Sequence, residues 1–170
     1  MRATPASGGT YQYSLSMLEA LGHIGGYDVT LYADPSNPEL ARFRFPVRAF
    51  TEGRADQFRD LAADALGIGF ADPFTDEDVL IAPTFSLALL RTARPFVYTL
   101  HDLQEFYYPA NFSWTQRAFR RRVYSRLSER AAGIVCESEY VKSDIERLLG
   151  VAGDKVSVIT APPLGQPVAE

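Results

Sequence analysis

Phe96-Val97-Tyr98-Thr99-Leu100-His101-Asp102-Leu103-Gln104 is the stretch that decides the fold. Five residues of strand-type composition run into a histidine and an aspartate, then into the aromatic loop Glu105-Phe106-Tyr107-Tyr108-Pro109. In an open α/β sheet, ligands gather in the crevice outside the carboxyl ends of the strands. A His-Asp pair at such an end stands where ligand contact or chemistry would occur. Two readings of His101 stay open on residue type alone: it caps the strand and hydrogen-bonds a nearby carbonyl, or it faces a ligand.

The flanking sequence repeats the same strand-then-helix rhythm. Downstream, Trp114 to Ala131 predicts a long helix, with Phe119, Val123 and Leu127 recurring every fourth residue and Tyr124 and Ala131 beside them. Gly133 to Cys136 reads as a strand, Ser138 as the cap of a helix running to Leu149, Gly150 as its stop, and Lys155 to Ile159 as a further strand. Upstream, the apolar run Val79-Leu80-Ile81-Ala82 suits a strand buried on both faces, and Phe85 to Leu90 a helical turn or two. Asp72 to Asp78 is an acidic loop, read as a solvated turn.

Further back, Ala55 to Leu66 predicts a helix with Phe58, Leu61, Ala62 and Leu66 on its buried face. Val47 to Phe50 is a brief strand, Glu39 to Phe43 a short helix, and Tyr27 to Ala33 a strand closed by the turn Asp34-Pro35-Ser36-Asn37-Pro38. The first helix enters through Ser7, Gly8, Gly9 and Thr10, carries Tyr13, Met17, Leu21 and Ile24 with Leu18 at helical spacing, and stops at Gly25-Gly26. Alternating short strands and helices predict an α/β fold, a Rossmann-like, mainly parallel sheet with helices on both faces. One feature departs from that plan: a doubly wound sheet opens with its central strand, and residues 1–6 are short and polar.

At 170 residues the chain has the size of one domain, expected over 1–160, with the Pro-rich, polar residues 161–170 as an interdomain linker or tail. A net charge of −4 makes the whole chain no electrostatic match for nucleic acid. The single Cys136 excludes an internal disulfide and fits a reducing compartment. No apolar run approaches a membrane span and no signal peptide opens the chain, so a cytoplasmic protein is expected.

Among motifs, Gly8-Gly9 precedes the first helix, where bare N–H groups and the helix dipole attract anions; it is otherwise a plain turn. Neither G-x-G-x-x-G nor G-x-x-x-x-G-K-[ST] occurs. The long helix carries Arg117, Arg120, Arg121, Arg122, Arg126 and Arg130, wrapped around it rather than gathered on one face, which weakens a membrane-surface reading of this helix, with Glu129 as a partner. Arg117 and Arg120, nearest its start, are either solvated or directed at an anionic ligand in the cleft. Two distant histidines and one cysteine give no metal-ligand spacing, and no G-x-S-x-G elbow exists. Glu129 and Glu137, two glutamates separated by seven residues, straddle a helix end and a strand.

The order of these motifs resembles a known family. Gly8-Gly9-Thr10-Tyr11-Gln12-Tyr13 comes first, then the strand ending in His-Asp-Leu-Gln, then Pro109 and Phe112-Ser113, then the Arg-rich helix with Tyr124. Ala131 to Ile145, Gly150-Val151 and Lys155 to Ile159 close the series. Over about residues 8–160 the chain looks like the N-terminal, acceptor-side half of a retaining GT-B glycosyltransferase of family 4. The resemblance implies sugar transfer from a nucleotide-sugar donor to a glycan, lipid-linked or small-molecule acceptor, as in polysaccharide biosynthesis. It implies no metal or other cofactor. By motif position Gly8 and Gly9 would lie near the donor diphosphate and His101 near the donor sugar. Asp102, Gln104, Tyr107, Arg117 and Arg120 would line the acceptor side. The family's C-terminal Rossmann-like domain, which holds the nucleotide, lies outside this sequence, so the partner is that lobe or a separate donor-binding subunit, and the fragment alone is expected to be inactive. A lipid-linked acceptor would place the protein peripherally at the inner face of the membrane. The alternative is a stand-alone α/β module that binds a ligand or partner without turnover.

Overall fold

A computed structural model describes residues 8–160. The elements in chain order are α1 (Gly9–Ile24), β1 (Leu31–Ala33), a 3-10 helix (Pro38–Arg42), β2 (Val47–Ala49), α2 (Arg54–Leu66), β3 (Leu80–Ala82) and a second 3-10 helix (Leu87–Arg91). Then follow β4 (Phe96–Thr99), α3 (Gln104–Tyr107), α4 (Trp114–Arg130), β5 (Gly133–Cys136), α5 (Glu139–Leu149) and β6 (Val156–Val158), with 3-10 turns at Pro109–Asn111 and Gly153–Lys155. Expectations about residues 1–7 and 161–170 fall outside the described residues.

The strands form two parallel sheets, β1-β2 and β3-β4-β5-β6, so the α/β, Rossmann-like reading holds. Leu80 pairs with Phe96, Val97 with Gly133 and Ile134 with Val156, aligning the carboxyl ends of β3 to β6 along one rim. Strand β4 is the pivot. Its Phe96 and Tyr98 are buried, and the Tyr98 hydroxyl meets that of Ser128 on α4 at 2.7 Å. Burial pushes the Tyr98 hydroxyl pKa up to about 12, so the phenol stays a hydrogen-bonding neutral group. Helix α4 packs Val123, Tyr124 and Leu127 onto this core and begins with a capping box between Ser113 and Gln116. Helix α5 is capped by the Ser138 side chain and ends at Gly150, which adopts the left-handed conformation glycine tolerates.

Four expectations need correction. The strand expected at Tyr27–Ala33 shrinks to Leu31–Ala33, because its parallel partner β2 offers only three residues. Helix α1 buries Tyr11, Ser14, Leu15 and Leu18 rather than the row Tyr13, Met17, Leu21 and Ile24. Strand β3 is not buried on both faces: Val79 and Ile81 are each about half exposed, at 52% and 50%. The largest discrepancy is in α2, which turns Gln57, Asp60 and Ala63 inward and leaves Phe58 and Leu66 exposed at 63% and 73%. Asp60 lies beside Arg59, and Asp64 meets Arg126 of α4 at 2.6 Å, so charge pairing took the place of apolar burial.

Leu80 donates its N–H to Pro95 on the β4 side, which turns the backbone groups of Ile81 to the outer edge. Likewise Leu31 donates to Pro46, turning those of Tyr32 away from β2. The acidic loop is more than a solvated turn. Tyr32 donates to Glu77 at 2.8 Å and Thr92 to Asp72 at 2.7 Å, so the loop ties the two sheets together.

Candidate active site

Strand β4 delivers Leu100 into the core and His101 onto the carboxyl rim of the sheet. The imidazole is partly exposed, its side chain at 17%. Its Nε2 lies 2.8 Å from the carbonyl oxygen of Pro83, just past β3, and its Nδ1 lies 3.4 Å from Oε2 of Glu137, just past β5. The ring does bond a carbonyl, as the first reading of His101 has it, and it stands at the carboxyl rim. A carbonyl and a carboxylate are both acceptors. The 2.8 Å contact makes Nε2 the donor to Pro83, and the Glu137 carboxylate stands beside Nδ1.

Helix α1 closes on the same point. Tyr13 presents its ring to His101 edge-on, with centroids 5.0 Å apart and planes at 88°. Its hydroxyl oxygen accepts a hydrogen bond from Thr99 at 3.3 Å. Gly9 is one helical turn before Tyr13 on the same row, a rise of about 5.4 Å. This brings the head of α1 to the rim where His101 stands. Gly8 caps the helix at φ 57°, ψ −126°, a backbone that L side chains rarely adopt, and no atom lies within 4 Å of where a Cβ would project at either glycine. The amides at the head of α1 thus adjoin open space, with the electrostatic character that favours anions.

The remaining candidates divide into three places. Asp102 accepts from the Gln104 amide and from Arg120, each at 3.3 Å, and Arg120 is held harder by the fully buried Glu105 at 2.9 Å. The Arg120 guanidinium also lies over the rings of Phe112 and Tyr124, 5.2 and 5.3 Å from their centroids. It is therefore engaged within this lobe instead of projecting freely toward an anion. Tyr107 turns to α5, donating to Asp144 at 2.5 Å and accepting from Arg147 at 2.6 Å. Donation to a carboxylate raises its pKa, because the protonated phenol is the form being held. Arg117 sits apart on α4, its Nε buried without a hydrogen-bond partner, and the Gln104 side chain is exposed at the start of α3.

Glu137, Tyr13 and Pro83 are the contacts of His101 that sequence reasoning missed. Glu137 carried a usable signal, standing at the end of β5 as His101 does at the end of β4. The family model described as Glycosyltransferase Family 4 matches residues 7–161. The chain belongs to glycosyltransferase family 4. No curated protein matches it. In this glycosyltransferase family 4 domain, the parallel sheets and their covering helices form a Rossmann-like half of the GT-B architecture, and His101 and the head of α1 share its carboxyl rim.

Proposed function

We propose that this domain is the acceptor-side lobe of a retaining glycosyltransferase that moves a sugar from a nucleotide-sugar to a glycan, lipid-linked or small-molecule acceptor. The observation that carries the reading is the convergence of His101, Tyr13 and Glu137 beside the exposed head of α1. Breaking a glycosidic bond to a diphosphate separates charge, leaving an oxocarbenium-like sugar and an anionic leaving group. Fixed donors and dipoles stabilise those charges best in a closed, water-poor cleft. The His101 ring, anchored through Nε2 on the Pro83 carbonyl with Glu137 beside Nδ1, serves as such a fixed group. The Gly8-Gly9 amides face the leaving diphosphate, and Asp102 and Gln104, next after His101, flank the acceptor, with Arg120 holding Asp102 in place. The reading needs no metal ion. It does need a second, nucleotide-holding lobe, supplied by the rest of a longer chain or by a separate subunit, and this lobe alone is inactive. The protein works in the cytoplasm, peripherally at the membrane where the acceptor is lipid-linked.

The test is His101→Ala in the two-lobed enzyme. Sugar transfer should fall at least about 100-fold, the usual loss when one pre-aimed electrostatic group is removed from an active site. Wild-type turnover by a folded His101→Ala protein overturns the assignment.

A further inference from the structure

The inverted polarity of α2 remains without a use in that reading. Phe58, Ala62 and Leu66 follow one another at four-residue spacing along its outer face, and Ile68 and Phe70 extend the exposed apolar surface past its end. Its carboxylates are occupied. Asp60 and Asp64 are buried against Arg59 and Arg126, and Asp56 is paired with Arg59 at 2.9 Å. The neighbouring helix is α4, joined through the ring contact of Phe58 with Phe119. Of the eight arginines on α2 and α4, Arg120 pairs with Asp102 and Glu105 outside the two helices, and Arg59, Arg126 and Arg130 pair with carboxylates of the helices themselves. Among them Arg54 and Arg122 are exposed and form no ion pair among the described residues. Arg54 stands one turn before Phe58 on the same row, and Arg122 one turn after Phe119. Arg59 lies over the Phe70 ring at 5.3 Å.

We infer that this α2/α4 face docks on an anionic lipid surface, with Phe58 and Leu66 entering the headgroup region and Arg54 and Arg122 meeting lipid phosphates. An apolar row flanked by unpaired arginines, with its carboxylates turned inward, matches an interfacial helix in both polarity and charge. An apolar protein partner would account for the row but not for the arginines. Helix α2 follows β2 and precedes β3, so it runs back from the carboxyl rim and its outer face lies away from the site. Docking in this pose leaves the rim at the bilayer's edge, where a lipid-linked acceptor is presented. The inference rests on the peripheral placement proposed above but not on the sugar transfer itself.

Vesicle flotation tests it on the chain as described. Vesicles with about 30% phosphatidylglycerol should carry the protein, and neutral phosphatidylcholine vesicles at least about tenfold less. Phe58→Ser with Leu66→Ser should cut flotation at least about tenfold, with only the small drop in melting temperature that loss of the Phe58–Phe119 ring contact brings, while Leu66→Ser alone should weaken flotation at an unchanged melting temperature. Arg54→Gln with Arg122→Gln should weaken binding and flatten its loss between about 0.1 and 0.5 M salt. Leu66→Trp should show a blue-shifted emission on the anionic vesicles, a readout that does not depend on removing apolar surface. Absence of wild-type flotation, equal flotation of the serine variant, or a solution dimer dissolved by the same serines overturns the inference. Flotation that persists while His101→Ala retains turnover keeps this inference and removes the transfer reading instead.

Discussion

From Phe74 onward, the buried apolar residues join one cluster that runs through Tyr98, Leu127 and Ile145 to Val156. Ahead of it they fall into small groups, Leu18 with Leu31, Ala33 and Leu40, and Tyr11 with Leu15. The two regions meet through apolar packing, with Tyr32, Phe50 and Leu61 against the later cluster, and through directional polar contacts. Glu52 accepts from the Ala88 amide at 2.9 Å, Tyr32 donates to Glu77, and Arg126 grips Asp64. The contrast separates two jobs. Apolar burial supplies most of the free energy in the later region, while polar bonds set the orientation of the earlier one. It also explains why α2 can present Phe58 and Leu66 outward without losing its place.

Truncation at the two cores gives the largest test. Leu127 is fully buried in the continuous cluster, so Leu127→Ala should cost about 3–5 kcal/mol. Leu18→Ala, in a small cluster free to relax, should cost about 2 kcal/mol, near the lower end for such truncations. Urea denaturation followed by circular dichroism measures both. Equal losses would show that the two regions share one core after all.

A middle-sized effect tests the polar joint. The Arg126 hydrogen bond holds the Asp64 carboxyl below the usual carboxylate pKa. A carboxylate depressed on folding contributes stability that is fully present above its unfolded pKa of about 3.9 and is lost as pH falls through the folded value. Asp64→Asn should therefore cost about 1.5–3 kcal/mol near neutral pH, the range for hydrogen bonds to charged groups. The gap between variant and wild type should close as pH drops below about 4. Chemical denaturation at stepped pH values checks this, and a gap that stays constant across that range breaks the idea.

The same contrast governs what could be read from sequence. From β4 onward the elements follow the pattern closely, because Phe119, Val123 and Leu127 mark the apolar stripe and Ser113, Ser138 and Gly150 mark ends through local hydrogen bonding and backbone preference. Earlier, the existence of α1 and α2 was legible but their faces were not. Periodicity reports that an apolar row exists, not that a buried Asp64 will find Arg126 and turn the row outward. At the site, His101 was legible from its position after a strand. The partners of its ring, Glu137, Pro83 and Tyr13, come from three separate segments and meet only through the sheet's parallel register.

The smallest effect is the sharpest on how the halves are joined. Tyr13→Phe keeps the edge-on ring against His101 and removes only the hydroxyl that accepts from Thr99 at 3.3 Å. One long neutral hydrogen bond at a partly exposed position should change global stability by about 0.5 kcal/mol. Its local consequence should be larger in kind, since that bond ties the first half of α1 to the end of β4. Amide hydrogen exchange should quicken along Gly9–Ile24 while the protection of Phe96–Thr99 stays as it was. Exchange that quickens equally in both segments would mean that they open as one unit, with the polar joint contributing no separate orientation. No change in α1 would assign its placement to the Tyr11 and Leu15 contacts, and the hydroxyl would then serve only to complete the hydrogen bonding of Thr99.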